Sequence, residues 1–355
     1  MGADRRDAAL RRMNLSVSST GASVSPYVGR TVEVIVKPVF RFTHAILVDG
    51  DLSLGSSNNW IVDSFDSKDS SKSDPGTLAG GVYPSSASKQ QSNGSIATTK
   101  KLPEGTYGAL IEGNGAEVRG DVQTAGGDNP NTPLVHENVS GSTGMDQSRI
   151  KDDLEQEITT VAMPDTTGRP NSLIFNNFPS FLSSKSTYVI DGNLSAFAIQ
   201  PPLLSALAPN AKAHVEILIK GNLNIGNGNS ATITIPPNVI ATIYVSGNID
   251  FGNGEVNSNS SSSRVAGNLK IYGTGNSGTY TASGNPTVIA AIYAPTYDVT
   301  LSGNATSIGS VVGKSFQING GGNGGFHYDE SLGKGGDVGS WKVAGYFEDA
   351  RADLQ

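Results

Sequence analysis

The chain has 355 residues, room for two ordinary domains or one elongated repeat body. It contains no cysteine, which excludes a disulfide scaffold, a thiolate metal site and a cysteine nucleophile. A net charge of -7 argues against nucleic acid, which requires a basic footprint, and no apolar run of about 20 residues is available to span a bilayer as a helix.

The charged start, Met1-Gly2-Ala3-Asp4-Arg5-Arg6, has no secretory signal pattern. It reads as the edge of a chain whose upstream segment has been removed, with a native cytoplasmic start as the other reading. Residues 1–14 read as a short N-terminal helix or a truncated linker, with Ala8, Ala9, Leu10 and Met13 on one side. From Leu15 the pattern turns to period two, the spacing of strands, and a single β domain is expected over 15–355. Thr31-Val-Glu-Val-Ile-Val-Lys-Pro-Val is its first long alternating run. His44-Ala-Ile-Leu-Val-Asp-Gly-Asp-Leu-Ser-Leu and Trp60-Ile-Val-Asp-Ser-Phe follow. Residues 67–101 are rich in Ser, Lys, Gly and Gln and read as a loop insertion outside the strands. Tyr107–Asn114 and Ala116–Thr124 resume the alternation.

Residues 145–162 break it. Ile150, Leu154, Ile158 and Val161 fall at i, i+4, i+8 and i+11, and Pro164 follows, so the spacing predicts a helical insertion or cap. Pro201-Pro202-Leu-Leu-Ser-Ala-Leu reads as a second short helical insert.

From Tyr188 to Leu332 one short pattern recurs: an alternating apolar run, Gly-Asn, another run, then a Gly/Ser/Asn-rich turn. Asn193, Asn222, Asn248, Asn268 and Asn304 each follow a glycine. Recurrence at roughly 20–45 residues marks a stacked repeat fold. Alternate Val, Ile and Leu would fill a shared narrow core, glycine would supply positive φ at the corners, and asparagines would stack from coil to coil. The expected fold is therefore all-β, a right-handed parallel β-helix (β-solenoid) with a short helical insertion or cap. An antiparallel sandwich is the rival, but it predicts hairpin turns every 8–12 residues. The tail Trp341-Lys-Val-Ala-Gly-Tyr-Phe-Glu reads as a last strand covering the end of the stack.

Three segments carry a family resemblance: Ala290-Ala-Ile-Tyr-Ala-Pro-Thr-Tyr-Asp-Val-Thr-Leu-Ser-Gly, Val311-Val-Gly-Lys-Ser, and the closing Phe326-His-Tyr-Asp-Glu-Ser-Leu. With Val48-Asp-Gly-Asp-Leu-Ser-Leu and Val62-Asp-Ser-Phe-Asp-Ser67, they resemble the C-terminal β-helical domain of uncharacterised bacterial prepilin-like, PilX-type surface proteins of Verrucomicrobia and other Gram-negative groups. The resemblance implies an extracytoplasmic, cell-surface or secreted β-helical domain, pilus-associated, structural or adhesive. Polysaccharide or other surface proteins are its partner classes. It gives no activity to carry over to particular residues.

The alternative is a carbohydrate-active enzyme, a glycoside hydrolase on β-glucan or cellulose or a polysaccharide lyase. Glycoside hydrolysis needs two carboxylates about 5–10 Å apart, and rungs about 4.8 Å apart could supply them. Asp191, Asp250, Glu255, Asp298, Asp329 and Glu330 are the candidates, with His327 as base or metal ligand. The bland reading makes these ordinary outward residues, with Phe326 and Tyr328 filling the core end and His327 and Asp329 hydrogen-bonding backbone. Asp63, Asp66 and Asp69 could offer oxygens to Ca²⁺, although the turn glycine and closing Glu of a known calcium loop are missing. No other cofactor is expected. Trp60, Trp341 and exposed tyrosines could stack on sugar rings, but such residues more often fill cores.

Overall fold

A computed structural model describes residues 31–55, 60–77, 80–101, 111–112, 116–126, 146–167, 180–182, 187–200, 212–226, 231–319, 323–334 and 337–349. The expected helix at 1–14 and insert at 201–207 lie outside them. The chain divides into two units, one formed by Met1–Phe40 with Asp337–Gln355 and the other by Arg41–Gly336.

In the first unit, Thr31–Phe40 pairs antiparallel with Val338–Asp349, from Thr31 opposite Asp349 to Phe40 opposite Val338. Both strands were expected as part of one stacked domain over 15–355. Alternation identified them as strands, but period two does not encode which strand is the partner.

The second unit is all-β. Its described residues form strands and short 3₁₀ turns, with no α-helix. Three parallel ladders run through it. On the first, one inward column reads Tyr188, Ile217, Ile243, Ile271, Ile292, Val311, Ile46, Ile96, Val122, Ile150. On the second it reads Leu223, Ile249, Tyr280, Val299, Phe316, Leu52. On the third it reads Phe197, Ile233, Val256, Val288, Ser307, Phe326, Val62, Val118. Nearly every member is apolar because side chains two apart share a face, and this face is the common core.

The columns also reveal the chain order. Rungs from 187 to 329 succeed one another in sequence, and then the next rung is residues 46–65. The rung of residues 46–65 therefore lies in the middle of the stack. Residues 41–151 add rungs beyond the C-terminal one, and residues from 180 build the other end. A seam lies between the rung ending in Asp329 and the rung beginning at Ile46.

The first ladder is apolar on both faces. Its outward column runs Val189, Leu218, Tyr244, Tyr272, Tyr293, Val312, Leu47, Ala97, and most of these residues are buried. A strand covered on both sides reads as a continuous apolar run, as in Ala290-Ala-Ile-Tyr-Ala. The 145–162 segment supplies part of this cover, but not as a helix. Gln147–Arg149 is one 3₁₀ turn, Ile150–Lys151 is a rung, and residues 152–166 belong to neither helix nor strand. Leu154, Ile158 and Val161 pack on the outer cluster around Leu47, Tyr272 and Tyr293. Leu154 N–H donates to Thr124 O at 3.0 Å, Thr43 Oγ1 donates to Gln156 Oε1 at 2.7 Å, and Tyr293 Oη donates to Thr159 O at 2.7 Å. The segment is a strap running back down the stack. Steps of four suit period two as well as period 3.6, and this is why the apolar spacing read as helical.

Within residues 67–101, expected as a loop insertion, one segment joins the ladders and another forms a hairpin of its own. Asp74–Thr77 and Gly80–Val82 pair antiparallel, and Ile96–Thr98 is a rung between Ile46–Val48 and Val122–Thr124.

The corners at Asn193, Asn222 and Asn248 use asparagine in a different way from amide-on-amide stacking. Asn193 Oδ1 accepts from Asn222 N–H, Asn222 Oδ1 from Asn248 N–H, each at 2.8 Å, and Asn248 Oδ1 from Thr279 N–H at 3.1 Å. Gly221 and Gly247 have no positive φ; a Cβ on either would collide with the asparagine amide of the coil before. Gly303, at φ +71°, does use the left-handed region. Asn304 belongs to another corner, donating to Asn285 Oδ1 and accepting from Asn323 N–H. Asn268 is buried in a 3₁₀ turn, where Lys212 Nζ donates to its Oδ1.

Candidate functional site

Among the described residues, the seam gathers four buried carboxyl groups, those of Asp63, Asp66, Asp329 and Glu330. The strand Ile61–Phe65 pairs in register with Gly325–Asp329, setting Asp63 beside His327 and Phe65 beside Asp329. The two motifs Asp63-Ser-Phe-Asp-Ser67 and His327-Tyr-Asp-Glu-Ser331, far apart in sequence, thereby become one site.

Asp63 is fully buried. Its Oδ1 lies 2.6 Å from His327 Nδ1, and its Oδ2 accepts from Tyr83 Oη at 2.6 Å. The Tyr83 ring stacks on His327 at 3.7 Å between centroids, and Arg119 Nη1 stands 4.0 Å from Asp63. Burial, and then the Asp63 charge, push the Tyr83 hydroxyl well above its ordinary value, so it stays protonated and donates.

Glu330 Oε1 accepts from Ser64 Oγ at 3.0 Å and from Asn93 Nδ2 at 2.9 Å. Lys334 Nζ bridges Glu330 Oε2 at 3.1 Å and Asp66 Oδ2 at 2.6 Å. Burial works to lower the Lys334 ammonium, but its two carboxylate partners overcome this and hold its pKa above the ordinary value.

Asp329 caps the 3₁₀ turn Glu330–Leu332, its Oδ1 accepting from the N–H groups of Ser331 and Ser67 at 3.1 Å each. Burial pushes its carboxyl up, with those donors opposing the shift. Its Oδ2 has no hydrogen-bond partner among the described residues. Phe326 and Tyr328 fill the core, and Tyr328 Oη donates to Phe42 O at 2.8 Å.

Three of the seven residues singled out for catalysis, His327, Asp329 and Glu330, therefore meet here, together with Asp63 and Asp66 of the calcium set. Asp69 is half-buried and accepts from Ser71 in its own turn. Among the described residues no group of three or more His, Asp or Glu is arranged to hold a metal ion.

The other four lie elsewhere. Asp191 is exposed, 3.6 Å from Lys220. Asp250 accepts from Thr281 Oγ1 and Gly252 N–H, with Asn224 and Thr281 as its rung neighbours. Glu255 has Thr232 and Thr287 beside it in register. Asp298 accepts from Ser315 Oγ and sits between Thr279 and Ser315. None of these three has an acid as its register partner, so the adjacent-rung carboxylate pair expected for glycoside hydrolysis is not formed by them. Trp60 is a core residue at 0% exposure, while Trp341 is 47% exposed.

Sequence reasoning missed Tyr83, Asn93, Arg119, Ser64 and Lys334. Tyr83 and Asn93 fall in the stretch read as loop, and no local pattern ties residue 63 to residue 327.

Residues 211–334 match a family described as a domain of unknown function, DUF7305. The match ends on Lys334 and leaves the N-terminal side of the seam outside it. No curated protein matches the chain. Among solved structures, the crystal structure of the competence-associated pilin ComZ from Thermus thermophilus is similar at 10% identity, over 90% of this chain and 78% of that one. Its TM-score of 0.19 is too low to relate the two folds. Among the described residues no helix is long and apolar enough to cross a membrane.

Proposed function

We propose that this chain is a structural, non-enzymatic domain of a bacterial surface or pilus-associated protein, displayed outside the cytoplasm and serving adhesion or assembly. Its body is a right-handed parallel β-helix. Support for that geometry comes from the way successive coils visit the three parallel ladders in a fixed order, since crossovers between parallel strands are right-handed in about 98% of cases. Polysaccharide or another surface protein is the partner class, and the polar outward residues of the second ladder, among them Asn224, Asp250, Thr281, Thr300 and Gln317, are the surface offered to it.

One observation carries the non-enzymatic reading. The cluster that most resembles an active site in sequence spends its donors and acceptors on fastening two coils together. Asp63, Asp66 and Glu330 each have a donor in place, and those donors come from across the seam. Incubation with a panel of polysaccharides tests it. Binding without release of reducing sugar or unsaturated product is expected. Release that disappears on replacing Asp63 or Glu330 would overturn the reading.

A further inference from the structure

Within the C-terminal part of the stack, each rung rests on the rung next to it in sequence. At the seam, neighbours come from opposite ends of the chain: Ile46 on Val311, Leu52 on Phe316, Val62 on Phe326. The rungs within residues 41–151 and within residues 180–334 thus form two half-stacks, each built from consecutive rungs. Between them the chain follows the strap of residues 152–166, which lies outside the ladders and threads through none of them. Separating the halves requires opening one set of ladder edges, lifting the strap and unpairing Thr31–Phe40 from Val338–Asp349, with no rung torn internally.

We propose that this seam is an exchange joint, through which two copies of the chain trade half-stacks. The last C-terminal rung would accept residues 46–65 of a second copy with the same register, apolar columns and ionic contacts as its own. An intramolecular interface between two modules joined by a single connection re-forms between copies at little cost in contacts. Register protects its specificity, because a slip of one residue would turn Leu52 and Val62 outward. The paired strands fit this exchange by chain order: Thr31–Phe40 runs directly into the N-terminal half, and Val338–Asp349 directly follows the C-terminal half.

The absence of cysteine allows a clean test. Ser53 and Gln317 face each other across the seam, whereas Asn224 and Asp250 face each other within the C-terminal half. Adjacent strands lie about 4.8 Å apart, within disulfide reach. Full-length Ser53→Cys and Gln317→Cys chains are mixed, unfolded, refolded together at high concentration and oxidised. Asn224→Cys and Asp250→Cys chains are treated in parallel. Disulfide-linked dimers joining positions 53 and 317, several-fold above those joining 224 and 250, are expected. No linked dimer in either mixture, or equal yields in both, would overturn the proposal.

Discussion

Two boundaries between rungs make the instructive comparison. Between Ala213–Ile219 and Val239–Val245, seven residue pairs in register, apolar columns and an asparagine-to-backbone hydrogen bond at the corner suffice. At the seam the apolar columns are again present, but Asp63, Asp66, Asp329, Glu330, His327 and Lys334 are added. The chain itself delivers the first pair of rungs to each other, since a single coil separates them. At the seam it does not, and closing so long a loop costs more entropy. Directional, partly buried polar contacts specify there what connectivity specifies elsewhere.

Substitutions can break this contrast. The largest effect is expected from Asp63→Ala, which leaves His327 and Tyr83 facing a void in a buried site. A loss of about 3 kcal/mol in denaturant unfolding is predicted, while Asp250→Ala, at a half-buried position inside the C-terminal half, stays below about 1 kcal/mol. Lys334→Met comes next. It takes the cation from two buried carboxylates, although the Lys334 side chain is 45% exposed and the pairs are partly screened. Hydrogen exchange should accelerate at Ile61–Phe65 and Gly325–Asp329 and stay unchanged at Val239–Val245.

Acidity should act on the two sides of the seam with opposite sign. The Asp329 carboxyl is raised, so its contribution to stability is complete below the ordinary carboxylate range and is lost as pH rises through its folded value. Asp329→Asn should remove that slope from the stability–pH profile. His44 is lowered, chiefly by burial, with the Gln123 side chain and Asp121 opposing. Its contribution is complete above about pH 6.5 and is lost as pH falls through its folded value. His44→Gln should flatten the acid limb alone. The smallest effect belongs to Asn222→Ala, which removes one exposed corner hydrogen bond and should cost about 0.5 kcal/mol in thermal unfolding.

Much of the rung pattern could be read from the residues. Ile217, Ile243 and Ile271 alternate with outward neighbours, and Gly-Asn at 193, 222 and 248 marks one real corner. The same dipeptide at 268 and 304 marks different corners, because Gly-Asn suits any tight bend and carries no information about which one. The two seam motifs stood out as sequences, yet their meaning was hidden. Residues 63 and 327 meet only because the rung of residues 46–65 sits mid-stack, a fact of topology that no local pattern records. The strap was misread for a related reason: Leu154 and Ile158 pack outward of a ladder whose own outer face is apolar, and that sheet supplies the cover that a helix was expected to need.

The seam itself is tested most directly by placing Ser53→Cys and Gln317→Cys in one chain and oxidising the freshly purified native monomer. An intramolecular disulfide between these positions, formed without loss of the folded signal, is the predicted result. A folded monomer that keeps both thiols free would contradict the placement of the N-terminal rungs on the C-terminal one.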